Sequence, residues 1–167
     1  MERSPTLARR TTELKNLQLD YHPQLHPLLE ASEYRDLAES PFNDLSRDEL
    51  ALLLARAPLI VTQGNTPSHY WLLEIAPLFY LLHQHPIAAS LTVDLLILPK
   101  DKAELGIRCA NFYAPALTAR AHPSFRQTMI SRLNAELVDF SRPTRAQIAR
   151  MAGLASASSL TERKKKG

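Results

Sequence analysis

The clearest alternation of apolar and polar positions lies between Ser46 and Leu98, and it predicts helix, strand, strand, helix, strand. Ser46-Arg47-Asp48-Glu49 reads as a capping box, in which a serine hydroxyl and a glutamate three residues on satisfy orphan N–H groups at a helix start. Leu50, Leu52, Leu53 and Leu54 carry that helix to about Arg56, and Pro58 ends it. Leu59-Ile60-Val61-Thr62 is a short apolar run that fits a buried strand. Gln63 to Ser68, with Gly64, Asn65 and Pro67, is a turn, and His69 to Glu74 is the expected returning strand. Pro77 suits the first turn of a helix that Leu78 to His85 continue and Pro86 closes. Leu91 to Leu98 is the strongest strand, while Asp101 to Ala114 and Ser124 to Val138 have helical period. Before Ser46 the pattern is weak. Residues 1–20 are polar with faint helical spacing, and Leu28 to Ala38 fits a short helix. His22-Pro23 and His26-Pro27 resist regular structure, because proline pushes the residue before it out of the helical region. The expected fold is α+β, a small mixed sheet flanked by helices and followed by a helical C-terminal segment. Its divisions fall at residues 1–39 (helical or irregular), 40–120 (the α+β core) and 121–167.

Composition narrows the setting. The apolar run at Leu91 is interrupted by Thr92 and Asp94, far short of the roughly 20 apolar residues that span a bilayer. Met1 to Lys15 has no hydrophobic segment behind it, so no secretory leader and no membrane partner are expected. Cys109 stands alone, which excludes an internal disulfide and points to a reducing, cytoplasmic compartment. At 45% hydrophobic and 22% charged residues, the chain can form a packed core and global disorder is excluded.

Charge adds an asymmetry. From Ser141 onward Arg142, Arg145, Arg150, Arg163, Lys164, Lys165 and Lys166 face Glu162 alone, a net +6. The remaining 13 of 20 basic and 16 of 17 acidic residues leave residues 1–140 at −3. Cations gathered at one end fit a phosphate-contacting arm, and equally a solubilising terminus. Thr144 and Gln147 form a second capping box, and Gln147 to Ser156 has helix-turn-helix spacing. Ala149 lets two helices approach, Gly153 takes the left-handed turn and Leu154 plugs the shared core. Ser156 or Ser158 then caps a second helix holding Leu160, Arg163 and Lys164, which in such motifs enters the major groove. The competing reading is one glycine-capped helix with a loose tail.

These features together resemble the ParB/sulfiredoxin-like domain, over roughly residues 40–160. The family's leading helix, proline and "PI-V" strand correspond to the helix before Pro58-Leu59-Ile60-Val61-Thr62, and its third strand to Leu91–Leu98. Its "E-N-x-Q-R-xx-L-T" segment corresponds to Ala110 through Thr118, where Asn111, Leu117 and Thr118 fit but the acid, glutamine and arginine are replaced by Ala110, Tyr113 and Ala114. Family members hold nucleotide phosphates with a glycine and an arginine after the second strand; this chain offers Glu74, Ala76 and Pro77 there. A carboxylate repels phosphate and proline removes a backbone donor, so a retained scaffold with lost nucleotide turnover is expected. Sulfiredoxin chemistry also needs a cysteine beside that arginine, and Cys109 lies elsewhere.

The resemblance implies a DNA-binding protein of a plasmid or mobile element, acting in partition, regulation or maintenance, without a required cofactor. Arg145, Arg150, Arg163, Lys164, Lys165 and Lys166 are the candidate DNA contacts, and Asn111 is the residue where a nucleotide would be held. Homodimerisation is common in such proteins. Two alternatives remain. One is a divergent nuclease or NTPase such as a fertility-inhibition factor, which would use nucleotide or a divalent metal with Glu74, Asp94 and Arg108, joined by Glu104 if the four converge at the sheet edge. It would act on a plasmid transfer or partition system during conjugation. The other is a protein-interaction module whose acidic body binds a partner. His83 and His85 point to different helix faces, and the prolines deny His22 and His26 a helix, so neither pair is a chelate. Trp71, Phe79 and Tyr80 are spaced like core residues, and Cys109 reads as a buried small side chain.

Overall fold

The computed structural model describes residues 7–30, 45–75, 86–118 and 125–161. Five strands form one mixed sheet: β1 (Ala8–Glu13), β2 (Gln18–Tyr21), β3 (Leu59–Gln63), β4 (His69–Leu72) and β5 (Thr92–Leu98), in the order β1-β5-β3-β4-β2. The inner pairs are β3 with β5, parallel, and β3 with β4, antiparallel. The edges are β1, antiparallel to β5, and β2, parallel to β4. Among the described residues the helices are α1 (His26–Glu30), α2 (Arg47–Ala55), α3 (Ala103–Arg108), α4 (Ala114–Thr118), α5 (Phe125–Asn134) and α6 (Arg145–Met151), with a π turn at Cys109–Tyr113 between α3 and α4. This is an α+β fold, and none of the described helices is long and apolar enough to cross a membrane.

The capping box at Ser46 forms as the pattern predicts: Glu49 N–H donates to Ser46 Oγ at 3.2 Å, and Ser46 N–H donates to Glu49 Oε2 at 2.6 Å. Leu50 and Leu54, four apart, are its buried face and pack with Ala88 and Leu91. The central strands are buried where Leu59, Val61, Val93 and Leu95 meet, and Thr62 is accommodated by donating its hydroxyl to Leu98 O at 2.9 Å.

Residues 8–21 correct the expectation of a helical or irregular N-terminus, for they supply both edge strands. The segment between them is short, Leu14–Asn16 in a 3₁₀ turn and then Leu17. Four inter-strand spacings of about 4.8 Å make a flat sheet roughly 19 Å across, more than this link spans at about 2 Å per residue in its turn. The sheet therefore curls. Leu14, Leu17, Leu19, Tyr21 and Ile97 close over Leu59, Val61, Tyr70, Leu72, Val93 and Leu95 on its concave side, and Arg10 Nη1 reaches across to Tyr70 Oη at 3.0 Å.

The other face carries the largest core cluster. Leu73 and Leu98 from the sheet, Ile107 and Phe112 from α3 and the π turn, and Met129, Ile130 and Leu133 from α5 join Ile148, Ala149, Ala152 and Leu160. The C-terminal segment thus shares one core with the sheet's helical layer. Two smaller corrections concern local chemistry: Cys109 is exposed rather than buried, and His26 opens α1 despite the proline after it. The expected helix from Leu78 to His85, with Phe79, Tyr80, His83 and His85, lies outside the described residues.

Candidate nucleic-acid interface

At Thr144 the side-chain hydroxyl accepts from Gln147 N–H at 3.2 Å and Gln147 Oε1 accepts from Thr144 N–H at 2.9 Å, the second expected capping box. Ile148, Ala149 and Ala152 face inward, packing α6 on α4 and the π turn, which leaves Arg150 outside and Arg145 half-exposed. Gly153 takes φ 68°, the left-handed conformation that ends helices, and Leu154 N–H donates to Ala149 O at 2.8 Å. The chain then turns into Ala157–Leu160. This is a single 3₁₀ turn rather than the expected α-helix, and Ser156 precedes it without a side-chain cap. Leu160 is fully buried, and Arg126 of α5 clamps the turn by donating Nε to Ser159 O and Nη2 to Thr161 O, the latter at 3.2 Å. Arg163, Lys164, Lys165 and Lys166 lie outside the described residues.

The candidate catalytic carboxylates have separate partners. Glu74 Oε1 accepts from Ile60 N–H at 3.0 Å, Asp94 Oδ1 from the Thr11 hydroxyl at 2.5 Å and Glu104 Oε1 from Ser141 N–H at 2.9 Å. Arg108 is half-buried at the end of α3. Among the described residues no group of three or more His, Cys, Asp or Glu side chains is arranged to hold a metal ion.

Asn111 is 1% exposed and its side chain is fully used within the protein. Its Nδ2 donates to Leu73 O at 2.9 Å and Ile107 O at 2.8 Å, while Oδ1 accepts from Ile75 N–H at 2.9 Å. Arg132, also buried, donates Nη1 to Asn111 O at 2.7 Å. Just before this, Leu73 N–H donates to Ile60 O at 2.9 Å and Glu74 takes the Ile60 N–H, so a carboxylate prolongs the β3–β4 ladder past its last strand pair. At Asn111, where the resemblance would hold a nucleotide, the amide ties the end of β4 to the π turn.

Withdrawal from water pushes the Glu74 carboxyl above the usual carboxylate range, a cost that the Ile60 N–H only partly offsets. A raised folded-state value means the native protein binds the proton more tightly than the unfolded chain. This group's contribution is fully present below the unfolded value and is lost as pH rises through the folded one. Glu74→Gln, which keeps an acceptor for Ile60 N–H, is therefore expected to gain stability relative to the wild type at pH 7 compared with pH 4. Thermal unfolding of both proteins at the two pH values checks this, and a difference independent of pH would refute it.

A polar cluster that the sequence pattern missed occupies the β2–β4 edge. Gln18↔His69 and Asp20↔Trp71 are register partners, which places these four side chains on one face. His69 is buried; its Nδ1 accepts from Asn65 N–H at 3.1 Å, and its Nε2 faces Asp20 Oδ2 at 3.0 Å. Trp71, half-buried, meets His69 edge-on with centroids 4.5 Å apart and His22 at 6.3 Å. Burial, then the neighbouring His26, holds His22 below the usual histidine range, and its Nδ1 accepts from Gln24 N–H at 3.2 Å.

Comparison with protein-family models, curated proteins and solved structures gives no match to this chain.

Proposed function

We propose that the chain is a DNA-binding protein of ParB-like kind, serving partition, regulation or maintenance of a plasmid or mobile element without turning over nucleotide. The observation that carries this reading is the outward face of α6. Arg145 and Arg150 stand on a helix whose opposite face is locked into the main core, so cations are presented from a rigid support, and the sequence continues to the basic residues 163–166. The plasmid setting rests on the family resemblance. Loss of nucleotide chemistry is supported by the use of the Ile75 N–H and the Asn111 amide inside the fold.

Removing the whole segment after Arg142 would strip Ile148, Ala149, Ala152 and Leu160 from the core, so the test uses a shorter deletion. Fluorescence anisotropy on a mixed-sequence duplex, across a range of salt concentrations, should show full-length protein binding with a steep salt dependence. Deleting residues 162–167 should lower that slope by about three to four units, one for each phosphate that is no longer neutralised. No binding by the full chain at low salt would end this reading.

A further inference from the structure

The end of α5 and the start of α6 frame an open cleft of about 470 Å³ lined by Leu133, Asn134, Arg142, Pro143, Thr144 and Arg145. Two of the six are arginines and none is acidic. Each arginine is anchored through one nitrogen. Arg142 donates Nη1 to Leu133 O and to Ala135 O, the latter at 2.6 Å, which caps the C-terminal carbonyls of α5. Arg145 donates Nη2 to Asn134 Oδ1.

We infer that this cleft is a notch for a DNA backbone phosphodiester, gripped by Arg142 and Arg145; the inference rests on the DNA-binding reading above. A guanidinium carries five N–H donors in a planar fork that matches phosphate oxygens. Anchoring one nitrogen of each fork leaves the remaining donors directed by a fixed plane, which reduces the rotamer entropy lost on binding. Among the described residues Nε and Nη2 of Arg142, and Nε and Nη1 of Arg145, donate to no protein group. The cleft is shallow and open, whereas sites for small molecules enclose most of the ligand surface. A polymer backbone can pass through such a notch, and Arg150, five residues on, is a further exposed cation of the same helix. Arg142 enters here for structural reasons: sequence counted it as charge in the tail, and its position at the α5 terminus makes it a phosphate-binding residue.

The experiment compares full-length wild type, Arg145→Gln and the double variant Arg142→Gln/Arg145→Gln on one duplex by anisotropy across salt, with circular dichroism as the check on folding. Arg145→Gln should weaken binding roughly tenfold and lower the salt slope by about one unit; the double variant should lower it by about two. If removal of the α5 cap unfolds the double variant, Arg145→Gln alone decides, because among the described residues the Arg145 side chain hydrogen-bonds only to Asn134 Oδ1. Wild-type binding with an unchanged slope in Arg145→Gln overturns the notch and leaves the DNA-binding reading standing, and no wild-type binding overturns both. At matched ionic strength inorganic phosphate should compete no better than chloride. Selective displacement of the duplex by millimolar phosphate would assign the notch to the free ion and overturn the phosphodiester.

Discussion

Asn111→Leu is expected to destabilise the protein by about 4 kcal/mol and to lower its thermal midpoint by roughly 10 °C, although leucine fills nearly the same space. The size follows from what the amide satisfies. Leucine leaves Ile75 N–H, Leu73 O and Ile107 O without their present partner, in surroundings where Asn111 itself is 1% exposed. Each orphaned buried group costs about 1–3 kcal/mol, and the added apolar packing recovers only part of the sum. The π turn that carries Asn111 connects α3 to α4, so breaking these bonds also frees the end of β4 from the helical layer. Asn111→Asp, which keeps the acceptor for Ile75 N–H and loses both donors, should also be clearly destabilised. Urea unfolding with an unchanged m-value measures both effects. A loss under about 1 kcal/mol in Asn111→Leu would mean that water, or another group, replaces the amide.

The next largest effect is expected from Gly64→Ala, at about 3 kcal/mol. A Cβ at this position would sit on the His69 ring, within 2.6 Å of Cγ, and 2.9 Å from His69 O. The ring cannot simply move aside. Asn65 N–H holds its Nδ1, Asp20 faces its Nε2 at 3.0 Å and Trp71 lies against it. The carbonyl is equally fixed, since Gly64 N–H donates to His69 O at 2.7 Å to close the β3–β4 turn. The diagnostic measurement is a double-mutant cycle. In a His69→Ala background the ring half of the clash is gone, so the cost of Gly64→Ala should fall by more than about 1 kcal/mol. Additive costs would place the strain in the backbone alone.

Where local chemistry decided structure, the sequence was legible. Both capping boxes, the strands at Leu59 and Thr92 and the left-handed Gly153 each follow from one short run of neighbouring residues. The elements that were not legible depend on distant partners. β1 is exposed over Ala8–Thr11 and carries Arg9 and Arg10, so it has no apolar stripe; it is a strand because β5 supplies its hydrogen bonds. The turn at Ala157–Leu160 carries helix-compatible residues, yet Arg126 holds the carbonyls of Ser159 and of Thr161 just after it, and Leu160 is drawn into the core. The same contrast applies to candidate chemistry. Residue type nominated Glu74 and Asp94 as catalytic and the family resemblance pointed to Asn111 as a nucleotide contact, and each is partnered by a backbone or hydroxyl group whose location only tertiary structure fixes. Conversely His69 and Asp20, 49 positions apart in the chain, carry no short-range signal and meet only because β2 runs beside β4.

The curled sheet also imposes an order in time on a ribosome. Thr11 and Asp94, joined across the β1–β5 pair, are 83 residues apart. At about 5–20 residues per second the nascent chain extends for roughly 4–17 s before β1 has a strand to join. Throughout that interval one edge of the eventual sheet is made and waiting. The Arg9-Arg10 pair in its first half then has a second use, since two adjacent cations on an unpaired strand discourage it from pairing with a neighbouring copy before its own partner emerges.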